Sequence, residues 1–238
     1  AFDDASAFTF FITGNIDEKV AREMSEKYIG SLPSKHAPEK WIDRGVRPPK
    51  GTVKKEIPLA LAVPKATVVI YHTAEMPYTP KNYLSLEVLK GILDLIYTEK
   101  VREEQGGTYG VAVFTSAQKQ PAELEYLIVN FDCDPERASA LKAIIYDELK
   151  KIAENGPAKE KMEKSVSNML KKREEALPHN NYWAGTIRNY YLFNVNTNDD
   201  SNFSNILKDM TVKDIQKFVK KYMSKADLLE MVFVPEKK

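Results

Sequence analysis

Cysteine and histidine are both scarce in this chain of 238 residues. Cys133 is the single cysteine, so no internal disulfide can form and the fold depends on its buried core. The histidines are His36, His72 and His179, and no second histidine follows any of them by four residues. A catalytic zinc site needs about three protein ligands, commonly two histidines on one helix face and a carboxylate. We therefore expect this chain to hold no metal by itself.

Two of these rare residues have chemically suggestive neighbours. His72-Thr-Ala-Glu75 resembles half of the inverted zinc motif, but a methionine follows where the second histidine belongs. We interpret His72 as a structural or surface residue at a strand end. Cys133 stands between Asp132 and Asp134, whose charges raise the pKa of a thiol, so it is expected to pack rather than to react.

Long apolar runs and an excess of one charge are also missing. The longest apolar clusters, such as Leu59 to Val63, are far shorter than the roughly 18 residues of a membrane span. Lys and Arg number 35 against 34 Asp and Glu, which indicates no general attraction to nucleic acid or to anionic lipid. No Gly-x-Ser-x-Gly or phosphate-loop motif occurs, and Gly106-Gly107 follows a helix, the wrong order for dinucleotide binding.

What is present is an ordinary globular composition, with 43% apolar and 10% aromatic residues. The length suits one large domain, or one domain with part of another. Residue 1 is Ala, and no signal peptide follows it. The pattern of residues Phe8–Thr13 already predicts a strand. We therefore expect a piece of a longer polypeptide, with any targeting signal upstream.

Periodicity predicts an α+β fold with a mixed, largely antiparallel sheet and helices packed on one face. Thr79-Pro80 begins a central helix whose apolar residues cover most of its circumference up to Gln105. The predicted elements of this domain follow one another along the chain as strand 66–73, the central helix, a hairpin of strands 108–116 and 123–133, a helix after Asp134-Pro135, a helix over 162–177, a helix over 183–191, a helix capped by Thr211 and Asp214, and strand 228–234.

Proline and glycine mark the expected domain boundaries. Between Pro33 and Pro58 the periodic pattern stops, which predicts a linker over 33–60. Residues 1–32 are then the end of a preceding α+β domain, and 61–238 form the C-terminal α+β domain. The first strand and the strand 228–234 both read as closing strands of similar units. Chance similarity of two apolar strands is the alternative to such a repeat.

The stretch from Val101 to Gly110 stands apart from the rest. It places Arg102 in the last turn of the central helix and Tyr109 at the start of a strand, with two glycines between them. Guanidinium and phenol groups both donate hydrogen bonds to carbonyl oxygens. The structural alternative is that Arg102 stabilises the helix C-terminus and Tyr109 fills a strand position.

This stretch resembles the C-terminal half of the pitrilysin/insulinase family of zinc metalloendopeptidases. The resemblance rests on Arg102-Glu-Glu-Gln-Gly-Gly-Thr-Tyr109 and on Phe131-Asp-Cys-Asp-Pro135 after the hairpin. It also includes Phe8-Thr-Phe-Phe-Ile-Thr-Gly-Asn-Ile-Asp17 and Tyr28-Ile-Gly-Ser-Leu-Pro33, the usual end of the preceding domain in that family. It therefore covers nearly the whole chain in order.

The resemblance implies a division of labour between two halves that close around a peptide. An N-terminal half, on the same chain or a partner subunit, would hold zinc, and this half would bind none. Arg102 and Tyr109 would bind the substrate backbone near the scissile bond, where they could stabilise developing negative charge. Members of the family also bind peptides at a sheet edge, for which strand 108–116 is the candidate. This fragment alone is expected to be inactive.

Two other functions stay open at this point. The chain could be an inactive scaffold or processing-partner subunit of the same family, or a generic α+β peptide-binding module. Retention of both Arg102 and Tyr109 favours the substrate-binding role, because a scaffold has no need of the pair. The compartment is left open, since bacterial periplasm and cytoplasm both fit the sequence.

Overall fold

A computed structural model describes residues 4–36, 41–60, 64–105 and 110–236, without the side chains of 101–105. The chain divides into two compact units. The first unit comprises residues 1–46 and 173–198, and the second comprises 47–172 and 199–238. The domain boundaries expected from the sequence, at 32/33 and 60/61, stay a prediction.

Seven helices and five strands make up the regular structure of the described residues. The helices are α1 Glu18–Tyr28, α2 Pro80–Gln105, α3 Ala138–Asn155, α4 Lys159–Ala176, α5 Asn180–Phe193, α6 Ser204–Asp209 and α7 Val212–Lys225. The strands are β1 Thr52–Leu59, β2 Ala66–Glu75, β3 Val111–Gln118, β4 Leu124–Cys133 and β5 Asp227–Pro235.

All five strands belong to one sheet of the second unit, in the order β1-β5-β2-β4-β3. The pairings of β2 with β4, β2 with β5 and β3 with β4 are antiparallel, and β1 runs parallel to β5. The register places Ile70 opposite Val129 and also opposite Glu230. The predicted mixed, largely antiparallel sheet and the β3–β4 hairpin are confirmed.

The core of the second unit lies on one face of this sheet. Alternate residues of β2 and β4 point into it, including Val68, Ile70, Leu127 and Val129, all at most 1% exposed. Buried residues of α2, α3 and α7 complete the same cluster. The prediction of helices packed on one face is confirmed, and so is the α+β class.

The ends of two helices show why local sequence predicted them well. In α7, the Thr211 hydroxyl accepts from the Asp214 amide at 3.2 Å, and the Asp214 carboxylate accepts from the Thr211 amide at 3.0 Å. This reciprocal capping box satisfies two amide groups that the helix leaves free. Gly156 ends α3 with a φ of +79°, a positive value that glycine adopts without steric cost because it has no Cβ atom.

One strand prediction is wrong, and one strand was not predicted. Phe8–Thr13 forms no strand, and no described strand pairs with it. Conversely, Thr52–Leu59 lies in the predicted linker yet forms β1. Pro58 is tolerated there because β1 is an edge strand, where a missing backbone donor costs no ladder hydrogen bond.

Candidate substrate-binding region

The central helix α2 carries the candidate site at its C-terminal end. Thr79 begins it by accepting a hydrogen bond from the Asn82 amide at 3.2 Å, and Pro80 is its first residue. Its side chains are buried on several sides, as the sequence predicted: Leu84, Leu86, Val88, Leu89, Ile92, Leu93, Ile96 and Tyr97. The core therefore determines the direction of α2.

Polar contacts hold the last turns of α2 against the neighbouring helices. The Tyr97 hydroxyl, in a fully buried side chain, donates to the Ile145 carbonyl of α3 at 3.0 Å. Lys100 donates to Glu148 of α3 at 2.7 Å, and Lys161 of α4 donates to Glu99. These contacts anchor the helix immediately before residue 102.

Glu148 stabilises this anchor electrostatically. Burial by itself would raise the pKa of Glu148, but hydrogen bonds from Lys100 and Lys151 lower it below its ordinary value. Both ammonium groups are 2.7 Å from Oε1 of Glu148. The carboxylate therefore stays ionised, and it is compensated by two positive charges although its residue is buried.

The two residues predicted to bind substrate fall at the end of the described segment. Arg102 lies in the final turn of α2, but its side chain is outside the described part of the structure. Tyr109 is among residues 106–109, which also lie outside the described residues. The predicted proximity of Arg102 and Tyr109 therefore stays a prediction.

The strand after this segment is an edge of the sheet. β3 begins at Val111 and pairs with β4 on one side, and the sheet order places no described strand on its other side. α2 packs along β3, and the Thr115 hydroxyl donates to Glu87 of α2 at 2.5 Å. The sequence could not show which edge is free. The structure shows that β3 is one of two edges, with β1 the other.

Glu87 and Cys133 illustrate how burial shifts acidity near this edge. Burial raises the pKa of Glu87, and the hydrogen bond from Thr115 partly opposes that shift. Cys133 is 4% exposed, and burial raises its thiol pKa to about 11, with Asp134 and Asp132 adding to the shift. The predicted packing role of Cys133 agrees with this burial. Desolvation is the main reason why the Cys133 thiol is unreactive. The acidic neighbours, on which the prediction from the sequence was based, make a smaller contribution.

His72 lies inside the core. It is 3% exposed on β2, its ring meets Tyr146 edge-on at 6.1 Å, and burial lowers its pKa to about 4. A neutral imidazole in an apolar environment fits the structural interpretation of this residue. Within the part of the chain that the structure describes, no three metal-ligating side chains come together.

Sequence reasoning missed two buried carboxylates of the sheet. Glu230 accepts from Lys142 at 2.7 Å and from Tyr146. Glu125 is 2% exposed, and neither of its carboxylate oxygens accepts a hydrogen bond from the described residues. Burial raises the pKa of Glu125 to about 7, against the nearby charge of Lys221. A signal existed, because Glu125 occupies the core-facing position of the β4 alternation that continues with Leu127 and Val129.

Comparison with known proteins identifies the family. A sequence profile described as the peptidase M16 inactive domain matches residues 4–169, more than half of the chain. The chain belongs to the peptidase M16 family. The resemblance to pitrilysin- and insulinase-type zinc proteases is thereby confirmed, as is its place in the domain of the family described as inactive.

Individual relatives agree with this assignment. The chain is 27% identical over 153 residues to the probable zinc protease PqqL of Haemophilus influenzae, covering 64% of this chain and 16% of that protein. The crystal structure of the periplasmic protease PqqL from Escherichia coli matches with a TM-score of 0.74 at 20% identity, over 94% of this chain and 25% of that one. The first half of the same E. coli protein matches with a TM-score of 0.73 at 13% identity, over 94% of this chain and 50% of that one.

This chain corresponds to only a part of each of these full-length relatives. The chain spans about a quarter or less of the length of the full proteins it matches. The structural similarity at these identities establishes the fold. No described helix combines the length and apolarity needed to cross a membrane.

Proposed function

We propose that this chain is the zinc-free, substrate-binding domain of a zinc-dependent endopeptidase that hydrolyses peptides in a closed chamber. The observation that supports it is the position of β3, an edge strand that directly follows the α2 end carrying Arg102. The match to the peptidase M16 inactive domain also supports the proposal, because it relates this chain to a family of peptidases. The zinc-bearing half is then on the same polypeptide or on a partner subunit.

The edge strand supplies the first part of the mechanism. An extended peptide can pair its backbone with the free side of β3, since an edge strand has amide and carbonyl groups without ladder partners. The α2 helix behind β3 is fixed by buried contacts, so the edge is held rigidly. A rigid edge holds the bound peptide in one register with little loss of conformational entropy on binding.

Arg102 and Tyr109 supply the second part. In this proposal their guanidinium and phenol groups donate hydrogen bonds to the peptide carbonyl beside the bond that is cleaved. Negative charge develops on that oxygen during hydrolysis, and donors already in position stabilise it.

The location of the parent protein follows only as a proposal. The matched E. coli protease is described as periplasmic. A periplasmic location would agree with this relative, and the sequence is equally compatible with the cytoplasm.

The decisive experiment reconstitutes peptidase activity from this chain and the zinc-bearing half, with zinc present or with a chelator. We expect activity in the mixture, none with this chain alone, and loss on chelation. Arg102→Ala or Tyr109→Phe should each lower kcat by about 10² to 10³ fold, the cost of losing one such donor. Zinc content and the thermal unfolding midpoint should stay unchanged.

Matched controls make the result specific. Arg188→Ala and Tyr190→Phe remove the same groups from exposed positions on α5 and should leave turnover unchanged. Unchanged turnover in the Arg102 and Tyr109 variants, or misfolding of either variant, contradicts the proposed roles. Normal turnover would favour the scaffold function instead.

Amide exchange tests the sheet-edge interaction separately. Adding an uncleaved substrate peptide should slow exchange at the amides of Val111–Gln118 that do not pair with β4. Amides of the other edge strand, β1, serve as the control. Equal slowing at both edges, or at neither, contradicts peptide pairing with β3.

A further inference from the structure

The two edge strands of the sheet differ in the residues that discourage pairing. β1 contains three charged residues and a proline, which are Lys54, Lys55, Glu56 and Pro58. β3 contains no charged residue and no proline. Charges and prolines on an edge strand hinder its pairing with a further strand. The composition of β1 therefore opposes the addition of a strand, whereas the composition of β3 permits it.

Phe114 is an exposed apolar residue in the middle of β3. Val113 pairs with the buried Val129 and faces the core, so Phe114 next to it points to the opposite face of the sheet. The side chain of Phe114 is 52% exposed, the largest exposed fraction of any large apolar residue in the described part of the second unit. About half of the ring is therefore left uncovered.

Phe114 is the end of an apolar row that runs across this face of the sheet. The register aligns Phe114 with Ile128 of β4. Ile128 in turn pairs with Tyr71 of β2, and Tyr71 pairs with Leu229 of β5. Side chains of paired residues lie beside each other on one face, with Cβ atoms about 4.5–5.5 Å apart. The row thus crosses four strands and ends at the sheet edge in an exposed aromatic ring.

The neighbours of Phe114 along β3 leave room for a large side chain. Ala112 and Ser116 lie two residues away on the same face, and both are small and uncharged. A strand that pairs with β3 places one of its residues directly beside Phe114. An aromatic or large aliphatic side chain at that position extends the apolar row and removes the exposed ring from water. A charged side chain there would lose water of hydration without gaining a partner from β3.

We propose that Phe114 selects peptides that carry an aromatic or large aliphatic residue at the position paired beside it. This inference rests on the proposed function, because it requires a peptide strand on β3. The contact also sets the register, since a slip of one residue would move the apolar side chain to the other face. Tyr109 precedes Phe114 by five residues. The cleaved bond should therefore lie about five residues from the selected side chain, at a constant spacing.

The test maps peptide cleavage by the assembly of this chain with the zinc-bearing half. The probes are serine- and threonine-rich peptides of about 14 residues, long enough to pair along all of β3. Each peptide carries a single phenylalanine, which moves by one position from one peptide to the next. Mass spectrometry of the products should show that the cleavage site moves with the phenylalanine and stays about five residues from it.

Steady-state kinetics measure the strength of the selection. Replacing the phenylalanine of the peptide with aspartate should raise KM by about five- to tenfold, the scale expected for a cross-strand aromatic pair. The value of kcat should change little, because the contact is the same in the bound substrate and in the transition state.

Variants of Phe114 test whether this residue is responsible. Phe114→Lys should reverse the preference, so that the cleavage site follows aspartate instead of phenylalanine, because opposite charges pair across strands. Phe114→Ser should remove the difference between the two peptides, and it serves if the lysine variant does not fold. Leu59→Lys is the matched control. It places the same charge at a position 39% exposed on the other edge strand and should leave the selection unchanged.

Three outcomes would overturn the proposal. They are cleavage that ignores the position of the phenylalanine, an unchanged preference in both Phe114 variants, and an equal change in Leu59→Lys. A dimer of this chain that Phe114→Lys abolishes, with no effect on cleavage, would identify a second copy as the partner of this edge and would also overturn it.

Failure of this inference is distinguishable from failure of the proposed function. If a peptide slows amide exchange along β3 but cleavage does not follow the phenylalanine, only the selection by Phe114 is wrong. If the peptide slows no exchange in β3 and Arg102→Ala leaves turnover unchanged, the proposed function is wrong, and this inference fails with it.

Discussion

Two helices of equal length show how differently the two units are built. α5 in the first unit and α7 in the second both have 14 residues. α7 buries Ile215, Phe218, Val219 and Tyr222, whereas α5 buries only Thr186 among its residues. Tyr190, Tyr191 and Leu192 of α5 remain at least half exposed. The apolar content of α5 and α7 is similar, so the burial of their side chains depends on whether other elements pack against the helix.

The same contrast holds for whole units. The large buried apolar side chains among the described residues all belong to the second unit, where a sheet provides a continuous surface for helices. The first unit has no strand among its described residues. Without a sheet to cover it, the apolar side of α1 is exposed, and none of the residues of this helix is buried.

The largest expected effect comes from one substitution made in both units. Leu89→Ala, at a fully buried position of α2, should lower the free energy of unfolding by about 2–5 kcal/mol through lost burial and a cavity. Leu192→Ala, at a position 52% exposed, should change it by less than about 0.5 kcal/mol. Urea denaturation of both variants measures the difference. Similar losses would contradict the contrast between the units.

A smaller effect distinguishes two buried carboxylates within the second unit. The pKa of Glu125 rises on folding from its ordinary value near 4.5 to about 7. Its stabilising contribution is therefore complete below pH 4.5 and is lost as pH rises through 7, because the ionised form has no donors. The gain in the free energy of unfolding that Glu125→Gln produces should therefore be larger at pH 8 than at pH 4.5, by about 3 kcal/mol.

Glu148 is the matched control for this pH dependence. Its pKa is lowered on folding, so its contribution is present at neutral pH and is lost as pH falls. Glu148→Gln should therefore destabilise the protein at pH 8 and have less effect at low pH. Denaturation across this pH range measures both variants. The same sign for Glu125→Gln and Glu148→Gln at pH 8 would show that the charge environment is not as described.

The smallest expected effect concerns helix caps. Asp17 caps α1 by accepting from the Val20 amide at 2.9 Å, as Thr211 caps α7. Loss of either cap costs about 1 kcal/mol. In α7 this should appear in global unfolding, because the helix packs on the core. In α1, Asp17→Ala should instead speed local amide exchange by about fivefold and leave the urea midpoint unchanged.

Asp17→Ala thus tests whether α1 unfolds independently of the second unit. A shift of the urea midpoint equal to that of Thr211→Ala would mean that α1 unfolds together with the second unit. Exchange at α7 amides in the same sample provides the internal reference.

Helices were predicted most reliably from the sequence. The limits of α2, the Asn155-Gly156 end of α3 and the Thr211–Asp214 capping box all follow from residues within a few positions of each other. Helical hydrogen bonds join residues four apart, so the information that determines them is local. The resemblance to the family was likewise carried by short local motifs, and the profile match confirmed it.

Strands were predicted less well, since their partners are distant in the chain. β1 is a strand because it pairs with β5, which lies more than 170 residues later in the chain. The Gly51 amide, just before β1, also donates a hydrogen bond to Asp227 at the start of β5. Phe8–Thr13 has a better strand pattern and remains unpaired. Arg102 and Tyr109 were singled out by sequence alone, and their roles stay a proposal.

Most of the helices, the caps of α2 and α7, the α+β class and the family could be predicted from the sequence, whereas α6 was not predicted. Only the folded structure shows that β3 and β1 are the edges, that Glu125 lies in the core without a donor among the described residues, and that no residue of α1 is buried. The physical reason is the range of the interactions involved. Helices close their hydrogen bonds within one turn, whereas sheet order and burial depend on surfaces that only the folded chain brings together.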